Sequence, residues 1–392
     1  MVTGEYPPSM GGVADYTSLL ARQLEQLGTA VTVLAPPLAV ENRNAEPSPR
    51  EGVPVVRVQG SWGLSSWRQV ARAAQISESS IVHLQYQAAA YGMHPAMNLL
   101  PAYIRLRERQ LKAVTTFHDL RVPYIFPKAG PIRRQAILAL DRWSHASVVT
   151  NHADLDNLEA SGKLSDSPSQ RRWLIPIGSN VECCPPPEFD RQRYRAGLGV
   201  DRDTLLLSYF GFMNQSKGVD SLVEALRILV ERGIDTRLLV VGGEEGTSDP
   251  TNHAYSRQVE ELIRTRGLEK RVVRAGFLAP QEVSAALLAA DLCVLPFKDG
   301  ASLRRGSLVA ALAHGLAILT TYPEKPEPLL TDAEGLAMVP RDDPKSLADA
   351  IERLWHDPGA RERLSAGASR LAPRFRWPDI ARRHQELYDC LM

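Results

Sequence analysis

Along the first half of the chain, short apolar runs alternate with amphipathic ones in a steady rhythm. Val31–Ala35, Val53–Val58, Ile81–Leu84, Ala113–Phe117, Ser147–Thr150 and Trp173–Ile175 have strand length. Several are apolar throughout, as parallel strands covered on both faces should be. Val13, Tyr16, Leu19, Leu20, Leu24 and Leu27 trace one face of a helix that Gly28 ends. Residues 178–203 break the rhythm with Pro185-Pro186-Pro187 and many polar positions, and read as an interdomain connection. The rhythm then restarts with strands at Leu205–Phe210, Arg237–Val241, Arg271–Ala275, Leu292–Leu295, Ala317–Thr320 and Leu336–Val339. Helices are expected between them near 218–232, 253–266, 280–290, 306–314 and 344–356. The pattern predicts an α/β chain of two Rossmann-like, doubly wound domains, 1–180 and 204–374. Met1-Val2-Thr3 has the character of the end of a strand, with Gly4 to Pro8 already its loop. Either the true start lies upstream or the first strand is unusually short.

Composition narrows the class. A chain of 392 residues is too long for one ordinary core. Apolar residues at 44% and charged ones at 23% are those of a soluble globular protein. With 46 Lys and Arg against 45 acidic residues, nothing suggests a sequence-independent nucleic-acid binder. Cys183, Cys184, Cys293 and Cys390 include an adjacent pair and show no metal spacing, which argues against a disulfide framework or a zinc site. A reducing cytoplasm fits best. No apolar run approaches the ~18 residues of a membrane span, and no charged-then-apolar leader is seen.

Candidate chemistry collects in two strand-to-helix turns. Gly11-Gly12 lies between the first strand and the first helix, where backbone can approach a ligand phosphate closely or simply turn tightly. No G-x-G-x-x-G occurs there or at Gly242-Gly243, so a dinucleotide fingerprint is absent. The second turn lies in the stretch Val294–Thr321, where Pro296 stops a strand and Leu308, Ala311 and Leu312 open a helix that Gly315 closes. Gly306 and Ser307 at that helix N-terminus make a phosphate seat, with Arg304 and Arg305 beside it; the plainer reading is a solvated loop with two surface arginines. Asp154 and Asp156 spell Asp-x-Asp, but on a helix they diverge by ~200° and cannot share a metal; Asp154 and Asp156 suit a helix N-terminus better. The basic stretch 104–112, after Leu99, Leu100 and Tyr103, is either a solvated helix end or a face for peripheral contact with an anionic membrane.

In order and spacing, Gly11-Gly12, TTFHD at Thr115–Asp119, GFMNQSKGVDSLVEAL at Gly211–Leu226 and the ALAHGLAILTT run ending at Thr321 resemble glycosyltransferase family 4, of the GT-B fold. The resemblance covers nearly the whole chain, including a final helix, 377–392, that in such proteins crosses back onto the first domain. It implies two domains facing across a cleft and a metal-independent, retaining hexosyl transfer, with the nucleotide-sugar as co-substrate and no cofactor. The donor would sit on the second domain. A saccharide, lipid-linked or small-molecule acceptor would sit on the first, in the cytoplasm or at a membrane surface.

Carried over, Gly11 and Gly12 would lie against the donor phosphates, His118 beside the transferring sugar, and Lys217 on the diphosphate leaving group. Arg304, Arg305, Gly306 and Ser307 would complete the phosphate site. The family usually places two glutamates eight positions apart in this loop and helix, where this chain has Ser302 and Ala310. Those two, with Leu303 and Phe277, would lie near the donor sugar and nucleotide. Phe212 replaces an arginine that often follows the glycine at the strand end. His83, His145 and His152 are expected to be isolated from this chemistry. A catalytically silent GT-B module, or a GT-B enzyme of another reaction such as a sugar-nucleotide epimerase, remains as an alternative.

Overall fold

The computed structural model describes residues 1–9, 11–38, 52–120, 130–161, 171–242, 250–276, 278–330 and 335–392. These divide into one unit of Met1–Ile177 with Trp377–Met392, and a second of Gly178–Arg376.

In the first unit the strands are β1 (Val2–Thr3), β2 (Val33–Ala35), β3 (Val55–Arg57), β4 (Ile81–Tyr86), β5 (Lys112–Phe117), β6 (Ala146–Val149) and β7 (Arg171–Leu174). Among the described residues they form one parallel sheet in the order β3-β2-β1-β4-β5-β6-β7. Among the described residues, the helices that connect them are α1 (Gly12–Gln26), α2 (Leu64–Ile76), α3 (Ala96–Arg107), α4 (Gly130–Trp143) and α5 (His152–Ser161). From β1 the chain winds outward to β3, then jumps back across β1 to β4 and winds the other way. The reversal makes the β1/β4 boundary a topological switch point, where the carboxyl ends of adjacent strands diverge and leave room for a ligand.

The second unit repeats this plan with β8 (Leu205–Phe210), β9 (Thr236–Val241), β10 (Val272–Gly276), β11 (Leu292–Leu295), β12 (Ile318–Thr321) and β13 (Leu336–Val339), in the order β10-β9-β8-β11-β12-β13. Its switch point is β8/β11. Its helices are α6 (Arg191–Gly197), α7 (Val219–Glu231), α8 (Pro250–Thr265), α9 (Pro280–Ala289), α10 (Gly306–Ala313), α11 (Pro344–His356) and α12 (Pro358–Leu371). Residues 178–203, expected to be a bare connection, belong to this unit. The reason is a buried arginine. Arg195, 2% exposed, pairs with Asp291 at 2.9 Å and donates to the carbonyls of Asp201 and Thr204, which ties α6 to the strand that follows.

The last helix, α13 (Trp377–Asp389), returns to the first unit. Its apolar stripe of Trp377, Ile380, Ala381, Leu387 and Tyr388 shares one core with Tyr16, Leu20 and Leu24 of α1. Gln385 donates to the carbonyl of Leu27 at 3.2 Å, and Arg383 to that of Leu174 at 2.6 Å.

No described helix is long and apolar enough to cross a membrane. The face considered for membrane contact is smaller than expected. Leu100 is fully buried and Tyr103 packs on Trp67 at 5.2 Å between ring centres, which leaves Leu99 and Leu106 exposed. Asp154 is buried at the start of α5, which Asn151 caps: the Asp154 N–H donates to Asn151 Oδ1 at 2.9 Å, and Asn151 Nδ2 donates to the Asp154 carboxylate at 2.7 Å.

Candidate functional site

Around the switch point of the second unit, two loops are laced together. After β8, Gly211 leads through a turn at Gln215–Lys217 to Gly218, and α7 follows. Gly218 has φ 67°, and a β-carbon there would collide with the carbonyl of Pro296 after β11. Only glycine lets the two loops approach this closely. Lys298 N–H then donates to the carbonyl of Ser216 at 2.9 Å, which fixes the Lys217 turn against the β11 loop. A β-carbon on Gly211 would collide with Lys217 Nζ, so Gly211 also keeps space for the ammonium.

Lys217 is only partly exposed and pairs with no carboxylate among the described residues. Burial first, and the charge of Arg305 second, push its ammonium down to about 8. A cation held without a counter-ion is costly. An incoming anion would restore the charged form.

Arg305 stands beside it but is not the loose cation that the sequence suggested. It forms an ion pair with Asp299, donates to Ser216 Oγ at 3.0 Å and lies over the Phe297 ring at 4.9 Å. Asp299 offsets its charge, so the loop gains less positive potential than two free arginines would give. Arg304 is half-buried, with its N–H donating to Ser302 Oγ at 3.3 Å.

Ser307, 5% exposed at the start of α10, has a buried hydroxyl without a hydrogen-bond partner among the described residues. Gly306 is exposed, and a β-carbon on it would meet nothing within 4 Å. Lys217, Arg305, the Ser307 hydroxyl and the backbone N–H groups of Gly306 and Ser307 at the start of α10 therefore belong to one electropositive locus. It is suited to an anion with several oxygens. Ser302 is half-buried nearby, whereas Leu303 and Ala310, expected in the vicinity of a sugar or nucleotide, are 2% and 0% exposed and are core residues. Phe277 lies outside the described residues.

The first unit has its own site at the carboxyl ends of β1, β4 and β5. Gly12 is exposed and a β-carbon on it would meet nothing within 4 Å, whereas one on Gly11 would collide with the Glu5 carboxylate. Glu5 is held above the usual carboxylate range by burial and then by Asp15. His118 follows β5 directly. Its N–H donates to the Tyr86 carbonyl at 3.0 Å, its Nε2 lies 2.9 Å from Gln85 Oε1, and its ring meets the edge of Tyr16 at 4.7 Å. Burial, and then His384, push it down to about 3, so the ring is neutral at any ordinary pH.

His83 is buried among polar partners of its own. It bridges Tyr388 Oη at 2.6 Å and Thr116 Oγ1 at 2.7 Å, and His384 sits 5.6 Å away between ring centres. His145 accepts from the Ala113 N–H at 2.9 Å, a structural contact. Sequence reasoning overlooked Gln85, Asp299, Phe297 and Ser216. Gln85 had one usable signal, a long polar side chain within a strand of the sheet interior.

Comparison with known proteins covers both units. The Glycosyltransferase Family 4 model matches residues 10–162, and the Glycosyl transferases group 1 model matches residues 204–357. D-inositol 3-phosphate glycosyltransferase from Xylanimonas cellulosilytica is 27% identical over 268 residues, 67% of this chain and 60% of that one. Alpha-D-kanosaminyltransferase from Streptomyces kanamyceticus is 30% identical over 193 residues, 47% of this chain and 45% of that one. The chain spans about half to three-fifths of the length of such curated relatives, 49%, 60% and 56% in three cases. Among solved structures, sucrose-phosphate synthase from Thermosynechococcus elongatus superposes with TM-score 0.73 at 21% identity, covering 97% of this chain and 94% of that one. Anabaena HepE, crystallised with UDP and glucose, gives TM-score 0.72 at 17% identity over 98% of each chain. Likeness at these identities bears on the fold.

Proposed function

Since the chain belongs to glycosyltransferase family 4 and has the GT-B fold, we propose that it transfers a sugar from a nucleoside diphosphate donor to an acceptor hydroxyl with retention of anomeric configuration. The observation that carries the proposal is the electropositive locus of the second unit. Departure of a nucleoside diphosphate builds negative charge on phosphate oxygens, and fixed donors in place before the reaction stabilise that charge without reorganising. Lys217 and Arg305 supply the cations, and α10 supplies backbone N–H groups with the Ser307 hydroxyl. The UDP and UDP-glucose held in HepE crystals support a nucleotide-sugar donor. The name of the inositol 3-phosphate glycosyltransferases supports a polyol or polyol phosphate acceptor, while the kanosaminyltransferase is named for the amino sugar that it transfers.

In this reading Gly12 brings backbone to the donor phosphates and His118 accepts a hydrogen bond from a substrate hydroxyl. A second reading, nucleotide binding without transfer, is favoured by one observation: Ser302 and Ala310 stand where the family usually has carboxylates.

The test is a thermal-shift series with UDP, GDP, ADP and their sugars on the wild-type chain and on Lys217→Ala, with product analysis for any sugar nucleotide that binds. A ligand at 100 times its Kd stabilises the fold by ~2.7 kcal/mol. Lys217→Ala is expected to fold normally and to lose ~2–4 kcal/mol of diphosphate binding or transition-state stabilisation. Unchanged binding and turnover in the variant would refute the role of Lys217. Binding by the wild type without transfer to any of a panel of polyols and saccharides would select the second reading.

A further inference from the structure

We propose that Gln85 is a positioning residue for the transfer: it holds His118 as the Nε2–H tautomer, so that the bare Nδ1 accepts a hydrogen bond from a hydroxyl of the donor sugar. The inference rests on the assignment of His118 to the substrate made above.

Gln85 lies on β4, beside the switch point, aligned with Thr3 of β1 on one side and Thr116 of β5 on the other. Its side chain is 0% exposed. One end is used and the other is not. Oε1 lies 2.9 Å from His118 Nε2, while the amide Nε2 is buried with no hydrogen-bond partner among the described residues. An unpaired buried amide costs stability, and a leucine at this buried place would avoid the cost. A polar side chain kept at a loss points to a task elsewhere, and its side-chain hydrogen bond among the described residues goes to His118.

The chemistry of that contact is one-directional. An amide oxygen can only accept, so the imidazole must donate from Nε2. A neutral imidazole carries one N–H, which leaves Nδ1 as a lone-pair acceptor with no partner among the described residues. Burial and the neighbouring His384 disfavour charge on the ring. The Tyr16 edge packs at 4.7 Å, and His83, Tyr388 and Thr116 satisfy one another one step further away. An acceptor nitrogen at the carboxyl end of β5 matches a sugar hydroxyl and does not match a phosphate oxygen, which has no proton to give. His118 is then a sugar reader and takes no part in holding the diphosphate.

The test uses the full chain without ligand, labelled with 15N-histidine, with His118→Asn to identify the signal. Two-bond 15N–1H correlation at neutral pH is expected to show His118 as Nε2–H in the wild type. Gln85→Leu, with Gln85→Met beside it in case the leucine misfolds, should shift the ring toward Nδ1–H or a mixture. Gln85→Glu, which keeps an acceptor oxygen, should retain Nε2–H. A wild-type ring found as Nδ1–H, or one indifferent to Gln85→Leu and Gln85→Met, overturns the proposal. Binding is then compared for UDP-glucose and UDP. Gln85→Leu should weaken UDP-glucose on the order of fivefold to tenfold and leave UDP unchanged, as for one lost hydrogen bond. If the tautomer moves but the UDP-glucose to UDP ratio does not, Gln85 commands the ring while His118 is absent from the sugar, which overturns that half of the proposal and the assignment beneath it.

Discussion

At the scale of single residues, the sites are marked by groups that the fold itself does not need. Among the described residues, the Ser307 hydroxyl is buried and unpaired, and Lys217 sits partly buried with no carboxylate paired to it. Gly12 is the same kind of signal in backbone form. Gly218 is required by a collision with the Pro296 backbone and Gly11 is crowded by the Glu5 carboxylate, whereas a β-carbon on Gly12 would meet nothing within 4 Å. Gly12 opens α1, where alanine is the better helix former by roughly 1 kcal/mol at most. Gly12→Ala is therefore expected to leave the unfolding midpoint unchanged or slightly raised, and to weaken nucleotide-sugar binding about tenfold or more by placing a methyl where phosphate should come. Calorimetric titration with UDP-glucose beside a urea melt checks both halves. Full affinity in the variant would mean that Gly12 has no ligand against it, whatever the melt shows.

At the scale of elements, apolar patterning located the strands well because parallel strands buried on both faces must be apolar throughout. β8, β11 and β13 lie where the runs predicted. The ends are less legible, since burial tapers there and hydrogen bonding takes over: β4 extends to Tyr86 and β2 begins at Val33. The polar lacing was hidden for a different reason. Arg305 meets Asp299 six residues earlier and Ser216 on another loop, and no periodicity encodes such a partner. The seat of α13 became visible only through resemblance, because its amphipathic stripe says that it packs and not where. That seat makes a strong prediction. Trp377 is 2% exposed and its ring lies 5.3 Å from Tyr16, which in turn contacts His118. Trp377→Ala should cost the first unit ~3–5 kcal/mol, as for other large aromatic deletions in cores. Urea unfolding followed by hydrogen exchange should show the loss in β4 and β5. A cost below ~1 kcal/mol would mean that α13 is only loosely held.

At the scale of the whole molecule, two units with separate sheets and separate cores need not share one response to acid. Titratable groups buried against their charge are unevenly divided between them. In the first unit, burial holds His83 well below its ordinary value, His118 at about 3 and His384 at about 4, and lowers His145; in the second it lowers His314. The sign follows from linkage. Each of these histidines binds a proton in the unfolded chain near 6.5 but resists it when folded, so the unfolded state holds more protons between those values and stability falls as pH drops through that window. Glu5 and Asp15, both raised by burial, act in the opposite direction at lower pH and offset part of the loss. Between about pH 7.5 and 5.5 the histidines dominate, because these carboxylates have yet to titrate fully. The first unit should therefore lose more stability than the second over this interval, at up to several protons of slope. Native-state hydrogen exchange at the two pH values, corrected for intrinsic rates, would compare β4 and β5 with β8 and β11. Equal losses in both sheets would show that the two units unfold together or that the buried histidines are solvated, and a loss confined to β8 and β11 would reverse the assignment.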